Sequence, residues 1–217
     1  MSHWTPESRV EAIDAILSRA PVVPVLRIDD LDDAVPLARA LVAGGLPVLE
    51  VTLRTAVARA AIERIARDVP EAIVGAGTVL RGDDLVSVTD VGAKFAIAPG
   101  ATDGLYAAAD HAPIPFLPGI STASELMRGL DAGYARFKFF PAEPAGGIGA
   151  LNAFAGPFAK VKFCPTGGID AAKAPAYLAL PNVITVGGSW MVPKDALHRR
   201  DWAAIAALAK ESAQLRR

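Results

Sequence analysis

Eight short apolar runs, each followed by a segment of helical character, place this chain in the α/β class. They predict a closed (β/α)8 TIM barrel with an extra helix at each end. Three observations carry that expectation. Strand and helix segments alternate from Pro21 to Trp190 with no linker or low-complexity tract, so residues 1–217 are expected to form a single barrel domain. The apolar runs are near-continuous, as in parallel strands covered on both faces. The competing architecture, an open doubly wound sheet, carries a GxGxxG fingerprint after its first strand, whereas here the glycine pairs come late.

The elements follow in order. Thr5-Pro6-Glu7-Ser8 is a helix start: Thr5 caps, Pro6 takes the first helical position, and Val10, Ile13, Ile16 and Leu17 share one face. Pro21–Ile28 is the first strand. A helix opening at Asp29–Asp32 runs to Val42 and is stopped by Gly44-Gly45. Val48–Arg54 is the second strand, with a helix over Ala56–Asp68 closed by Pro70. Ile73–Val79 and the helix Gly82–Val91 make the third unit. Phe95–Ala98, ending at Pro99-Gly100, is followed by a helix from Thr102. Ile114–Leu117, ending at Pro118-Gly119, leads through Ser121-Thr122 into the helix Ala123–Asp131. The sixth strand is Arg136–Phe140, with a Gly-rich turn and the segment Ile148–Phe154 after it. Val161–Pro165 ends in Thr166-Gly167-Gly168 and precedes the helix Ala171–Leu180. Asn182–Val186 ends in Gly187-Gly188-Ser189-Trp190, and a last helix spans Arg200–Leu215.

Composition narrows the function classes. A net charge of −1 offers no bulk attraction for nucleic acid or an anionic membrane, so neither partner is expected. No apolar run approaches the roughly 20 residues that span a bilayer. Met1–Glu7 lacks the basic start and apolar core of a signal peptide. The sole cysteine, Cys164, has no intramolecular partner and fits a reducing compartment, so a cytoplasmic location is expected. His3, His111 and His198 are scattered, and no metal or cofactor is expected.

The chemistry centres on Arg136-Phe-Lys-Phe-Phe-Pro-Ala-Glu143. Lys138 sits mid-strand, with Arg136 and Phe140 on its face and Phe137 and Phe139 on the other. A buried ammonium needs a carboxylate or must lose its proton, and a neutral lysine attacks carbonyl carbons. The bland alternative is a structural ion pair, or a stem that packs while its head reaches water. Barrel chemistry gathers at the C-terminal strand ends. Glu50 lies inside the second strand, on one face with Val48, Thr52 and Arg54. Thr78 ends the third strand, Pro99 the fourth and Thr166 the seventh. Glu50 and Lys138 can therefore both point into the barrel, each lowering the cost of burying the other. Lys162 also lies in an apolar strand, but near its start and so toward the closed end of the barrel or outside it; Lys94 precedes its strand. Thr166-Gly167-Gly168 and Gly187-Gly188-Ser189 occupy the two positions where barrels hold phosphate through backbone N–H groups, although tight turns would use the same residues. No arginine accompanies them, so binding would rest on N–H groups and Ser189.

Six stretches, Glu50–Thr55, Gly75–Leu80, Phe116–Thr122, Phe137–Glu143, Cys164–Ile169 and Gly187–Trp190, together resemble the class I aldolases that act on 2-keto-3-deoxy-6-phosphogluconate (KDPG) and 4-hydroxy-2-oxoglutarate (KHG). The resemblance spans about Pro21 to Trp190. It implies a carbon–carbon lyase of the Entner–Doudoroff pathway that releases pyruvate and glyceraldehyde 3-phosphate, with KHG giving pyruvate and glyoxylate. It implies Lys138 as the Schiff-base lysine and Glu50 as the general acid/base. Arg54, Thr78 and Pro99 would line the pyruvate end; Thr166, Gly167, Gly168, Gly188 and Ser189 would hold the distal end and its phosphate. It also implies a homotrimer. An aldolase for the galactonate epimer, a non-covalent sugar-phosphate isomerase or decarboxylase, and a sugar-phosphate sensor remain the alternatives.

Overall fold

The computed structural model describes residues 4–215. Met1, Ser2 and His3, on which part of the N-terminal expectation rests, lie outside the described residues, as do Arg216 and Arg217. Helix α1 (Pro6–Leu17) precedes β1 (Val22–Leu26), a 3₁₀ turn over Leu31–Asp33 and α2 (Ala34–Ala43). Then come β2 (Val48–Thr52), α3 (Ala58–Asp68), β3 (Ile73–Gly77), α4 (Gly82–Asp90), β4 (Ala96–Ile97) and α5 (Asp103–Ala109). Next are β5 (Phe116–Leu117), β6 (Gly119–Ile120), α6 (Ala123–Asp131), β7 (Arg136–Phe139), α7 (Gly147–Ala155) and β8 (Lys162–Pro165). The chain ends with α8 (Ala174–Leu178), β9 (Val186–Gly188), α9 (Lys194–His198) and α10 (Trp202–Ala213).

The strands close into a barrel. Parallel pairing runs β5-β4-β3-β2-β1-β9 on one side and β6-β7-β8 on the other. The two arcs meet at both seams. At one, β8 joins the last strand through the parallel bridges Phe163–Val183 and Thr166–Gly187. Phe163 N donates to Asn182 O at 2.8 Å and Ile184 N to Phe163 O at 2.9 Å. At the other, β5 and β6 are successive halves of one barrel strand, interrupted at Pro118, which has no N–H to give. Its carbonyl still accepts Lys138 N at 2.9 Å. This fifth strand therefore runs past Pro118, beyond the limit expected from sequence. Gly119 is required there, because a Cβ would lie 2.3 Å from the Pro99 backbone.

Helix α1 plugs the N-terminal mouth. The expected cap is present: Ser8 N donates to Thr5 Oγ1 at 3.2 Å and Thr5 N to Ser8 Oγ at 2.9 Å. Ile13 and Leu17 pack with Val23, Val48, Phe95, Ile97, Leu117, Cys164 and Ile184, the apolar filling of the barrel interior. Two clamps fix the plug. Asp14 takes Arg136 Nε and a terminal guanidinium nitrogen, both at 2.7 Å. Arg9 is buried, bonded to Asp110 and 2.6 Å from Tyr134 Oη. At the other end of the chain, α10 lies on α2 so closely that a Cβ on Gly44 would fall 2.4 Å from Ala209 Cβ.

Two linked local expectations are corrected. Gly187 and Gly188 are strand residues of β9, paired with Val23 and Pro24, rather than a loop. The eighth strand thus lies later than Asn182–Val186, because its early residues meet β8 only through an isolated bridge. The short helix α9 adds an element between the eighth strand and the last helix. No helix among the described residues is long and apolar enough to cross a membrane.

Candidate active site

Glu50 and Lys138 face each other across the barrel interior. Glu50 is mid-strand in β2, in register with Val25 and Gly75; Lys138 is in β7, in register with Gly119 and Cys164. Lys138 Nζ donates to Glu50 Oε1 at 2.8 Å, and both residues are buried, at 5% and 1% exposure. Two ions taken this far from water must hold one another or exchange a proton. The Phe140 ring lies 5.5 Å from Lys138 Nζ and gives the ammonium a π face.

Glycines of β3 make room for this pair. Gly77 sits beside Glu50, and a Cβ there would fall 2.2 Å from Glu50 Oε1 and 2.6 Å from its Cγ. Gly75 makes the same concession to the Phe95 ring, at 2.6 Å. The Gly-Ala-Gly spacing of β3 is the signal: two glycines at period two share the inward face.

Thr78 follows at the C-terminal end of β3, with φ of 60°. A β-branched residue in left-handed backbone is a costly outlier of the kind that clusters at functional sites. Pro99 lies beyond β4, against Gly119. Arg54 is on the expected face but just beyond β2 and exposed. Its Nε donates to Thr52 Oγ1 at 3.0 Å, and Thr52 Oγ1 donates to Leu26 O at 2.8 Å. Arg54 and Ser189 line a rim cavity of about 570 Å³ with Arg27, Lys194 and His198, against the single acid Asp29. Another cleft, about 480 Å³, lies outside the barrel between α4 and α5, away from Lys138.

Thr166 is buried at the end of β8 beside Gly187, where a Cβ would lie 2.3 Å from Thr166 Oγ1. Gly167 and Gly168 follow in left-handed backbone, φ 105° and 80°. They lie against the turn after β7: Ala142 N donates to Thr166 O at 2.8 Å and Glu143 N to Gly167 O at 3.1 Å. Gly188 is buried because the Trp190 ring covers it, and Ser189 is the exposed residue of that segment.

The rival nucleophiles are poorly placed. Lys162 is exposed at the start of β8 and Lys94 is exposed before β4. Cys164 is beside Lys138 in register, but burial pushes its thiol up to about 12, leaving it protonated. Among the described residues, no three His, Cys, Asp or Glu side chains gather as a metal set would need.

Comparison with known proteins places this geometry. The profile of the family described as KDPG and KHG aldolase matches residues 13–208. The chain belongs to that family. It is 57% identical over 214 residues to the KHG/KDPG aldolase of Escherichia coli K12, covering 99% of this chain and 98% of that protein. A KDPG aldolase from Legionella pneumophila, solved with pyruvate captured at low pH as a covalent carbinolamine intermediate, superposes with a TM-score of 0.91 at 49% identity. That match covers 93% of this chain and 98% of the other. The Zymomonas mobilis ZM4 aldolase, solved with 3-phosphoglycerate, gives 0.91 at 50% identity, covering 94% and 96%.

Proposed function

We propose that the chain is a class I aldehyde-lyase that cleaves KDPG to pyruvate and glyceraldehyde 3-phosphate, and KHG to pyruvate and glyoxylate. The observation that carries the reading is the buried Lys138–Glu50 bond of 2.8 Å at the centre of the barrel. Family membership and the names of the relatives support both substrates.

The pair supplies its own activation. Moving one proton from Lys138 Nζ to Glu50 leaves a neutral amine beside a neutral acid, which removes two buried charges at once. The amine adds to the C2 ketone to give a carbinolamine, and loss of water gives the iminium. With Glu50 returned to its carboxylate, it takes the C4 hydroxyl proton. The C3–C4 bond then breaks, its electrons pass into the iminium, and the aldehyde leaves. Protonation of the enamine at C3 and hydrolysis of the iminium release pyruvate and restore the amine. Arg54 is suited to the pyruvate carboxylate, because a guanidinium fork matches a carboxylate bidentately. Thr78 and Pro99 complete that end. Thr166, Gly167, Gly168 and Ser189 take the distal end and its phosphate, while Gly188 lets the chain pass beneath Trp190.

In this reading one barrel domain acts in the cytoplasm as a homotrimer. Association is supported by large apolar side chains left exposed at Leu80, Val86, Met127 and Leu130; the stoichiometry comes from the family resemblance. The test is product analysis with KDPG and KHG on wild type and Glu50→Gln. Pyruvate release that falls at least about 100-fold in the variant supports the reading. An unchanged rate overturns Glu50, and no pyruvate from wild type overturns the activity.

A further inference from the structure

Glu143, Lys173 and Tyr177 form a polar cluster that the chemistry above does not use. Lys173 Nζ lies 2.8 Å from Glu143 Oε2 and donates to Gly168 O at 3.0 Å. Tyr177 Oη donates to Glu143 Oε1. Lys173, with Tyr177 to orient it, holds the Glu143 carboxyl below the usual carboxylate range. The Glu143 side chain also lies on Gly168, where an added Cβ would fall 2.7 Å from its Cγ.

These contacts fix the direction of two peptide groups. Gly167 O is held by Glu143 N at 3.1 Å and Gly168 O by Lys173 Nζ. In a trans peptide the carbonyl and the following N–H point opposite ways. The N–H groups of Gly168 and Ile169 are therefore turned away from the cluster, and among the described residues neither meets an acceptor. The Gly167 N–H, by contrast, lies on the side where Thr166 bridges Gly187 of β9. Two adjacent free donors on a loop with successive positive φ angles make a concavity suited to an anion.

We propose that Glu143, through Lys173, is a positioning residue. Its backbone N–H pins the Gly167 carbonyl and its carboxylate holds Lys173 on the Gly168 carbonyl, so that the Gly168 and Ile169 N–H groups form the seat for the substrate's phosphate. This rests on the aldolase reading for the substrate's identity, but not for the existence of an anion seat. Glu143 and Lys173 touch neither the reacting carbon nor Lys138. They tie the turn after the lysine strand to the phosphate loop, so the two ends of the site keep a fixed spacing.

The test uses the full chain with Lys173→Met, Glu143→Ala and Lys173→Arg, and inorganic phosphate as probe, titrated by calorimetry. Lys173→Met and Glu143→Ala should each weaken phosphate binding by about tenfold, the scale of one lost charge-assisted hydrogen bond. Their KM for KDPG should rise to match at unchanged kcat, while KM for KHG, which has no phosphate, stays within about twofold. Lys173→Arg should recover most of the loss. Lys173 is half exposed, so Lys173→Met reads the seat even where Glu143→Ala folds poorly. Unchanged phosphate affinity, or equal losses on both substrates, overturns the proposal. Failure of wild type to form a pyruvate adduct on Lys138 would instead remove the aldolase reading, and the phosphate titration would still decide the brace.

Discussion

Gly77→Ala tests the geometry of the acid–lysine pair with a single methyl group. Gly77 is not in left-handed backbone, so alanine fits the chain there. The new Cβ would lie 2.2 Å from Glu50 Oε1 and 2.6 Å from Cγ. Ordinary contacts sit at about 3.5–4.0 Å, so the carboxylate must move by about 1 Å or more. It is buried in a packed interior and cannot move without lengthening its 2.8 Å bond to Lys138. A displacement of about 1 Å can cost about 100-fold in rate. Overpacking adds about 1–3 kcal/mol of destabilisation. The assay is pyruvate release at saturating KDPG, with thermal unfolding measured alongside. We expect kcat to fall about 100-fold or more while the fold persists with a lowered Tm. Gly75→Ala, whose Cβ would meet the Phe95 ring instead, should lower Tm by a similar amount with a much smaller loss of kcat. Wild-type kcat in Gly77→Ala, or equal kcat losses in the two variants, would refute the claim that Gly77 keeps room for Glu50.

Leu17→Ala removes part of the plug formed by α1, whose Leu17 is 1% exposed; it should cost about 2–5 kcal/mol of stability with KM unchanged, read by denaturant unfolding and steady-state kinetics. Cys164, fully buried with its thiol pushed up to about 12, should resist iodoacetamide at pH 8 in the native protein and react once denaturant is added, followed by intact mass. The lowered carboxyl of Glu143 gives a signed pH effect. Its contribution to stability is present above the unfolded glutamate value, about 4.3, and is lost as pH falls through the lower folded value. The Tm difference between wild type and Glu143→Gln should therefore be flat from pH 7 to about 5 and disappear only in more acidic buffer; a difference that grows on acidification would contradict the assigned direction.

The Lys138–Glu50 pair was legible because strand alternation sets which side chains point inward, and two opposite charges on inward faces of one barrel have few other partners. The exposed position of Lys162 was legible from its place at the start of a strand. What stayed hidden depends on contacts between distant segments. The Gly-Ala-Gly spacing marks an inward face, but which side chain Gly77 makes room for emerges only when Glu50, 27 residues earlier in the chain, is found beside it. The late Gly187-Gly188 pair has the composition of a turn, yet parallel pairing with β1 and the Trp190 ring make it a buried strand. Pro118 signals a strand end, but the carbonyl of a proline can still accept from the next strand, so the barrel continues through it. Arg54 shares the predicted face but sits past the strand end, because β2 gives way to a turn at Thr52. Lys173 reaches Glu143 only through the docking of α8 on the turn after β7, which no local pattern encodes.

The chemistry turns on a covalent adduct at Lys138. Incubation with pyruvate and borohydride, followed by peptide mass mapping, tests it most directly. One stable adduct per chain is expected, on Lys138, lost in Lys138→Met and retained in Lys162→Met. An adduct on Lys162, or none in folded protein, would contradict it.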